Sequence, residues 1–132
     1  MPIRYTVDRE RRRIAAMAEG LVTHPEIVAH LGRERHEGIL PLFELVDAST
    51  ATTDLTPEEV RQIVSHLREL GRDSALGPVA VLVGDEMAYG MIRMLGIMGE
   101  DVCDIRPFRG RDEADQWLDS ISAARQPRGE PR

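Results

Sequence analysis

The 132-residue chain contains no lysine: all 17 of its basic residues are arginine. That removes Schiff-base catalysis, the phosphate-gripping lysine of a P-loop and the lysine of response-regulator receivers. Asparagine is missing as well, a usage that a GC-rich genome produces. A lone Cys103 cannot form an intrachain disulfide, so the chain needs no oxidising compartment. One Trp, two Tyr and two Phe are too few for the stacking platforms of single-stranded nucleic-acid binding. A net charge of −6 argues against a basic nucleic-acid footprint covering a whole face. No stretch approaches the ~18 apolar residues of a membrane helix, and Met1 to Asp8 lacks the apolar run of a signal peptide. The expectation is a cytoplasmic chain without nucleic-acid partner or transmembrane segment. Its length fits one domain over 1–123, followed by a disordered tail over 124–132.

Periodicity places the elements. Ile3, Tyr5 and Val7 alternate with Arg4 and Thr6 as in a half-buried strand, and Arg13 to Ala18 reads as its hairpin partner. Thr23-His24-Pro25-Glu26 predicts a capping box opening a helix to about Arg35. The apolar segment Ile39 to Val46 predicts a strand buried on both faces that stops at Asp47, with Pro41 near its start. A polar connection from Ala48 to Asp54 leads to a second capping box, Thr56-Pro57-Glu58-Glu59. Val60, Ile63, Val64, Leu67 and Leu70 then mark one helical face, which Gly71 can end. Val79 to Val83 is the clearest interior strand, and a helix follows from Asp85 to about Gly99. A strand over Val102 to Phe108 and a helix over Asp112 to Ile121 complete the order ββαβαβαβα. This is an α/β pattern: a mixed, mainly parallel five-stranded sheet with flanking helices.

Few residues carry recognisable chemistry. Asp47 and Asp85 follow strands, where open parallel sheets bind ligands, and would form a carboxylate pair for Mg²⁺ if their strands were neighbours. Their alternative roles are a turn for Asp47 and a helix cap for Asp85. Ser49, Thr50, Thr52 and Thr53 lack a base at recognisable spacing, and His66 is distant in sequence. His24, His30 and His36 recur every six residues on one helix, so consecutive rings point about 120° apart and cannot share an ion. They are expected to be exposed, and no metal site or cofactor is predicted. Cys103, without a CxxC partner, reads as a small core residue. Arg9, Arg11, Arg12 and Arg13 read as a solvated hairpin tip, and Trp117 as an anchor docking the last helix. Glu44, inside an apolar strand, needs a partner that the sequence does not identify.

The segment Asp85 to Glu100 is the least ordinary. Met87, Met91, Met94 and Met98 fall at offsets of 0, 4, 7 and 11, a stripe along one helix face. Gly90, Gly96 and Gly99 lie in or near the same helix, which implies that something approaches its backbone closely. Methionine adapts to irregular surfaces, so the stripe reads as core, pocket or partner surface. Tyr89 and Arg93, an i, i+4 pair off the stripe, suit a polar contact at its rim.

With these segments placed, the chain resembles the SpoIIAA-like, STAS-related family of small bacterial proteins. The residues concerned are the opening strand pair, Leu42-Phe43-Glu44-Leu45-Val46 ending in Asp47, and Val79 to Val83 followed by Tyr89-Gly90-Met91-Ile92-Arg93-Met94. Phe108, Ala114 and Trp117-Leu118 complete the set. The resemblance implies a mixed sheet flanked by helices, also likened to the lipid-binding CRAL-TRIO domain, with no established common activity. Anti-anti-sigma factors of the wider group carry a phosphorylatable serine in an Asp-Ser-Ser/Thr-Gly turn leading into a helix. Ser49 lies near that place, although this chain lacks the glycine and has a longer loop.

The leading functional expectation is therefore a non-enzymatic binding or regulatory domain. Its contact surface, for a protein partner or for a second copy in a homodimer, is Asp47 with Met87, Tyr89, Met91, Arg93, Met94 and Met98. The alternatives are a carrier or sensor of a hydrophobic small molecule or lipid, and a switch phosphorylated at Ser49. An enzyme built around Asp47, Asp85 and a histidine ranks last, because no catalytic constellation is readable.

Overall fold

The computed structural model describes residues 2–125. Nine elements follow one another: β1 (Ile3–Asp8), β2 (Arg13–Leu21), α1 (His24–Glu37), β3 (Phe43–Thr52), α2 (Pro57–Asp73), β4 (Val79–Val83), α3 (Glu86–Met98), β5 (Ile105–Phe108) and α4 (Arg111–Arg125). The strands form a single sheet in sequence order. β1 and β2 pair antiparallel, and every later pair is parallel. The α/β order and the mixed, mainly parallel sheet expected from periodicity are those observed.

Alternation along the strands divides the core in two. On one face, Phe43, Leu45, Ala80 and Leu82 pack with Phe108 against Ala114, Trp117 and Leu118 of α4. Trp117 docks that helix as expected, its ring 5.6 Å from Phe108. On the other face, Val46, Val81, Val83 and Ile105 meet α2 and α3 through Val60, Ile63, Leu67 and Ala88. Ile3, Ala18 and Val22 continue this inner layer toward Ile27 of α1. β4 reads as an unbroken apolar run because it contributes to both layers.

Local signals set most helix ends. Thr56 and Glu59 form the reciprocal box, with Glu59 N–H donating to Thr56 Oγ1 at 3.1 Å and Thr56 N–H to Glu59 Oε1 at 3.0 Å. At α1 the Glu26 carboxylate accepts from both the N–H and the hydroxyl of Thr23. Gly38, left-handed at φ 72°, ends that helix two residues beyond the expected end. α2 runs past Gly71 to Asp73, and α4 continues past Ile121 to Arg125. The expected tail therefore begins as helix, and its remainder, 126–132, lies outside the described residues.

β3 differs most from its prediction. Ile39 to Leu42 form a turn, and the strand starts at Phe43 and runs on to Thr52. Pro41 offers no N–H to a ladder, while Gly77 packs against the carbonyl of Leu42 and bonds Leu40. At the other end, Glu19 to Leu21 extend β2 and supply partners for Thr50 to Thr52. Met17 opposes Asp47 but Glu19 opposes Thr50, so β3 carries one extra residue between them. The bulge shifts the inward face from Glu44, Val46 and Ala48 to Ala51 and Thr53.

Candidate functional site

α1, α2 and α3 roof a cavity of about 190 Å³ over β3 and β4. Its wall is almost wholly apolar: Val46, Ala48 and Ala51 from β3, Val79, Val81 and Val83 from β4, Leu31 from α1, Ile63 and Leu67 from α2, and Met91, Ile92 and Leu95 from α3. The lining follows β3 from Glu44 to Thr53. Glu44 to Ala51 alone span roughly 23 Å at ~3.3 Å per residue, so the lining is elongated along β3. Thr52 is exposed, and Ile27, Ala51 and Thr53 are half-buried, which opens the carboxyl end of β3 to solvent.

The amino end is closed and polar. Ile27, His30, Leu31 and Glu34, at offsets of 0, 3, 4 and 7, form the inner stripe of α1. His30 and Glu34 meet Glu44 of β3, and the three are only 7%, 2% and 4% exposed. His30 Nε2 lies 2.9 Å from Glu44 Oε2 and 3.2 Å from Glu34 Oε2. Tyr5 packs edge-on against the His30 ring at 5.3 Å. Burial alone would lower the His30 pKa, but its hydrogen bonds and attraction to Glu34 and Glu44 prevail and push it up to about 9. Burial pushes the Glu44 carboxyl up to about 8, aided by the Glu34 charge and opposed by His30. His30 Nδ1 remains buried without a hydrogen-bond partner, and Glu34 Oε2, in ion-pair contact with His30 Nε2, makes no hydrogen bond of good geometry.

This trio answers the question of Glu44 and corrects the reading of the histidines. The expected six-residue pattern does not put all three rings in solvent: His36 is exposed and His24 half-buried, but His30 is buried. A spacing of six relates the histidines only to one another and leaves out the glutamates. His30 instead has ligand-type neighbours in Glu34, one turn away, and in Glu44 across the layer, with donor atoms all within 4.8 Å of one another.

The Met stripe divides. Met91, Met94 and Met98 are half-buried against the inner core, and Met91 lines the cavity. Met87 is 70% exposed and Ile97 58%. The close approach implied by the glycines occurs at Gly96 and involves the protein's own backbone: a Cβ there would sit 2.1 Å from the Ile105 carbonyl oxygen. Around Gly90 there is open space. Tyr89 and Arg93 line a separate surface crevice between α3 and β5. Tyr89 is covered by the Arg109 guanidinium, 3.9 Å from its ring, and Arg109 is held by Glu86 at 2.8 and 3.0 Å.

The other sequence candidates have local partners. Asp47 Oδ1 accepts from Ser49 N–H and, at 2.6 Å, from the Ser49 hydroxyl, while Oδ2 pairs with Arg111 at 3.1 Å. These bonds hold its carboxyl below the usual range. Asp85 caps α3 by accepting from Ala88 N–H at 2.8 Å. Their strands are neighbours, but both carboxylates are engaged locally. Ser49 is exposed but sits within β3, so no turn leads from it directly into a helix. Cys103 is buried beside the cavity, and burial pushes its thiol up to about 12.

No protein-family model matches the chain, and no curated protein matches it. Among solved structures, it is similar to an uncharacterized protein of the DUF3478 family with a SpoIIAA-like fold from Shewanella loihica PV-4. The TM-score is 0.59 at 16% sequence identity, covering 88% of this chain and 93% of the other. With the sheet order and helix placement above, that similarity establishes that this chain has a SpoIIAA-like fold.

Proposed function

We propose that the protein is a non-enzymatic binding domain that takes up a small amphipathic molecule, with a single slender apolar chain, in the inner cavity. The observation that carries this reading is an apolar space, about 190 Å³ in volume and lined along β3, ending in the buried polar trio of His30, Glu34 and Glu44. A dry engineered cavity of roughly 150 Å³ already admits a benzene-sized molecule. The length of the lining favours a chain over a ring system. The trio supplies the few polar groups that fix orientation in otherwise apolar ligand sites.

Contact with a protein partner or a second copy has less support. Three of the four stripe methionines are engaged with the core, leaving Met87 and Ile97 as separated exposed side chains. The phosphorylation reading loses its turn-to-helix geometry at Ser49. Native mass spectrometry of freshly purified protein tests the proposal, together with titration of an environment-sensitive apolar fluorophore. A co-purifying amphiphile, or saturable fluorophore binding at one site per chain, is the expected result. Empty protein that also leaves the fluorophore unbound would overturn it.

A further inference from the structure

We propose that His30 Nε2, Glu34 and Glu44 bind a divalent first-row transition-metal ion at the closed end of the cavity. The argument begins with geometry. Metal–ligand bonds of about 2.1 Å place neighbouring donor atoms roughly 3.0 Å apart at octahedral angles and roughly 3.4 Å apart at tetrahedral ones. His30 Nε2 stands 2.9 and 3.2 Å from the two carboxylate oxygens, and all three donor atoms lie within 4.8 Å of one another. Two edges of the trio, both from His30 Nε2, thus have the spacing of a coordination polyhedron, and the carboxylate–carboxylate edge is bounded at 4.8 Å.

The second observation is the imbalance of donors and acceptors. Two buried carboxylates face one imidazole, and among the described residues no arginine pairs with either of them. His30 Nε2 carries one proton and bonds Glu44 with it, so Glu34 Oε2, 3.2 Å from the same nitrogen and almost fully buried, has an ion-pair contact but no hydrogen bond of good geometry. Such a group costs free energy unless something satisfies it. A doubly charged cation neutralises both carboxylates at once.

The donor chemistry selects the ion. An imidazole nitrogen suits Zn, Fe, Ni or Cu ions better than Ca²⁺ or Mg²⁺, and the carboxylates accept the same first-row ions. Three protein ligands leave coordination positions open toward the cavity, where Ile63, Leu67 and Cys103 are also found. The i, i+4 spacing of His30 and Glu34 fixes two ligands on one rigid helix, and strand β3 fixes the third. The inference does not require the cavity to carry an amphiphile.

The test titrates Co²⁺ and Zn²⁺ into chelator-treated, delipidated full-length protein, followed by calorimetry and by the visible ligand-field absorption of Co²⁺. The expected result is one ion per chain. Affinity should fall at least about tenfold in Glu34→Gln and in Glu44→Gln, which keep size and hydrogen-bonding capacity. It should be unchanged in a His24→Ala/His36→Ala double variant, which retains His30 alone on α1. The ring nitrogen resonances of His30 in the unmodified protein give a second readout that does not depend on either variant folding. They should shift on Zn²⁺ addition. Lack of saturable binding up to the order of 1 mM, affinity unchanged in both glutamine variants, or an unmoved His30 signal would overturn the proposal. Because no amphiphile is present, failure of the cavity reading leaves this result intact.

Discussion

Glu44 is buried more deeply than a carboxylate tolerates alone, and among the described residues its charged partners are His30 and a second carboxylate, Glu34. Burying charges is costly, and removing one member of a buried group strands the others. Glu44→Leu is therefore expected to lose about 3 kcal/mol in urea unfolding. A His30→Phe/Glu34→Leu/Glu44→Leu triple variant should recover most of that loss, because no charge is left unpaired. A triple variant less stable than Glu44→Leu would show that the trio is a structural asset rather than a cost borne for binding. The sign of the pH dependence follows from the same residues. His30 holds its proton more tightly folded than at its ordinary 6.5, so its contribution is complete below 6.5 and lost as pH rises through about 9. Glu44, raised to about 8 chiefly by burial, also favours the protonated folded state and adds a penalty as pH climbs from its ordinary 4.5 toward 8. Both act in one direction. The midpoint of thermal unfolding in chelator should fall between pH 6.5 and 9, and Glu44→Gln should flatten that slope. The need of Glu44 for a partner was legible in the sequence, because an acidic residue stood in an apolar strand. The identity of the partner was not, since a spacing of six relates the histidines only to one another. The informative spacing was Ile27, His30, Leu31, Glu34, in which two polar residues occupy the apolar stripe.

Among the elements, α3 offers the sharpest contrast. Glycine in a helix interior costs about 1 kcal/mol relative to alanine, and α3 contains two such glycines in different surroundings. Gly90 faces open space, so Gly90→Ala should gain roughly 1 kcal/mol in chemical denaturation. Gly96 has the Ile105 carbonyl 2.1 Å from where a Cβ would lie, and that oxygen belongs to strand backbone. Gly96→Ala must push α3 away from β5 and should lose at least about 2 kcal/mol in the same measurement. Equal effects at the two positions would contradict the close helix–strand contact. Strong periodicity made α2, α3 and β4 readable to within a few residues. β3 was misplaced because its carboxyl half, Ala48 to Thr52, is polar and small. That half is strand only because β2 runs to Leu21 and a bulge absorbs the mismatch, and both are properties of the pairing. The glycines of α3 did signal a close approach. Sequence could not say that the approaching group is β5 rather than a ligand.

At the scale of the whole molecule, the cavity is a departure from the dense interior that folding favours. At ~24 cal/mol per Å³, a space of about 190 Å³ forgoes at most roughly 5 kcal/mol of packing, and less where its carboxyl end meets solvent. Modest filling is available at little steric risk, because Ala48 and Val81 line the space from adjacent strands that pair in register. Ala48→Val and Val81→Ile add one or two methyl-sized groups to the wall without disturbing strand geometry. Each is expected to stabilise the protein by about 1 kcal/mol, raising the thermal midpoint by roughly 4 °C for a chain of this size. The same substitutions narrow the path along β3, so the combined variant should bind the apolar fluorophore at least about tenfold more weakly than the unmodified protein. A gain in stability coupled to a loss of binding is the signature of space retained for a ligand. If the filled variant were more stable yet bound the fluorophore undiminished, the probe would be seated elsewhere, with the crevice at Tyr89 and Arg93 the next place to look.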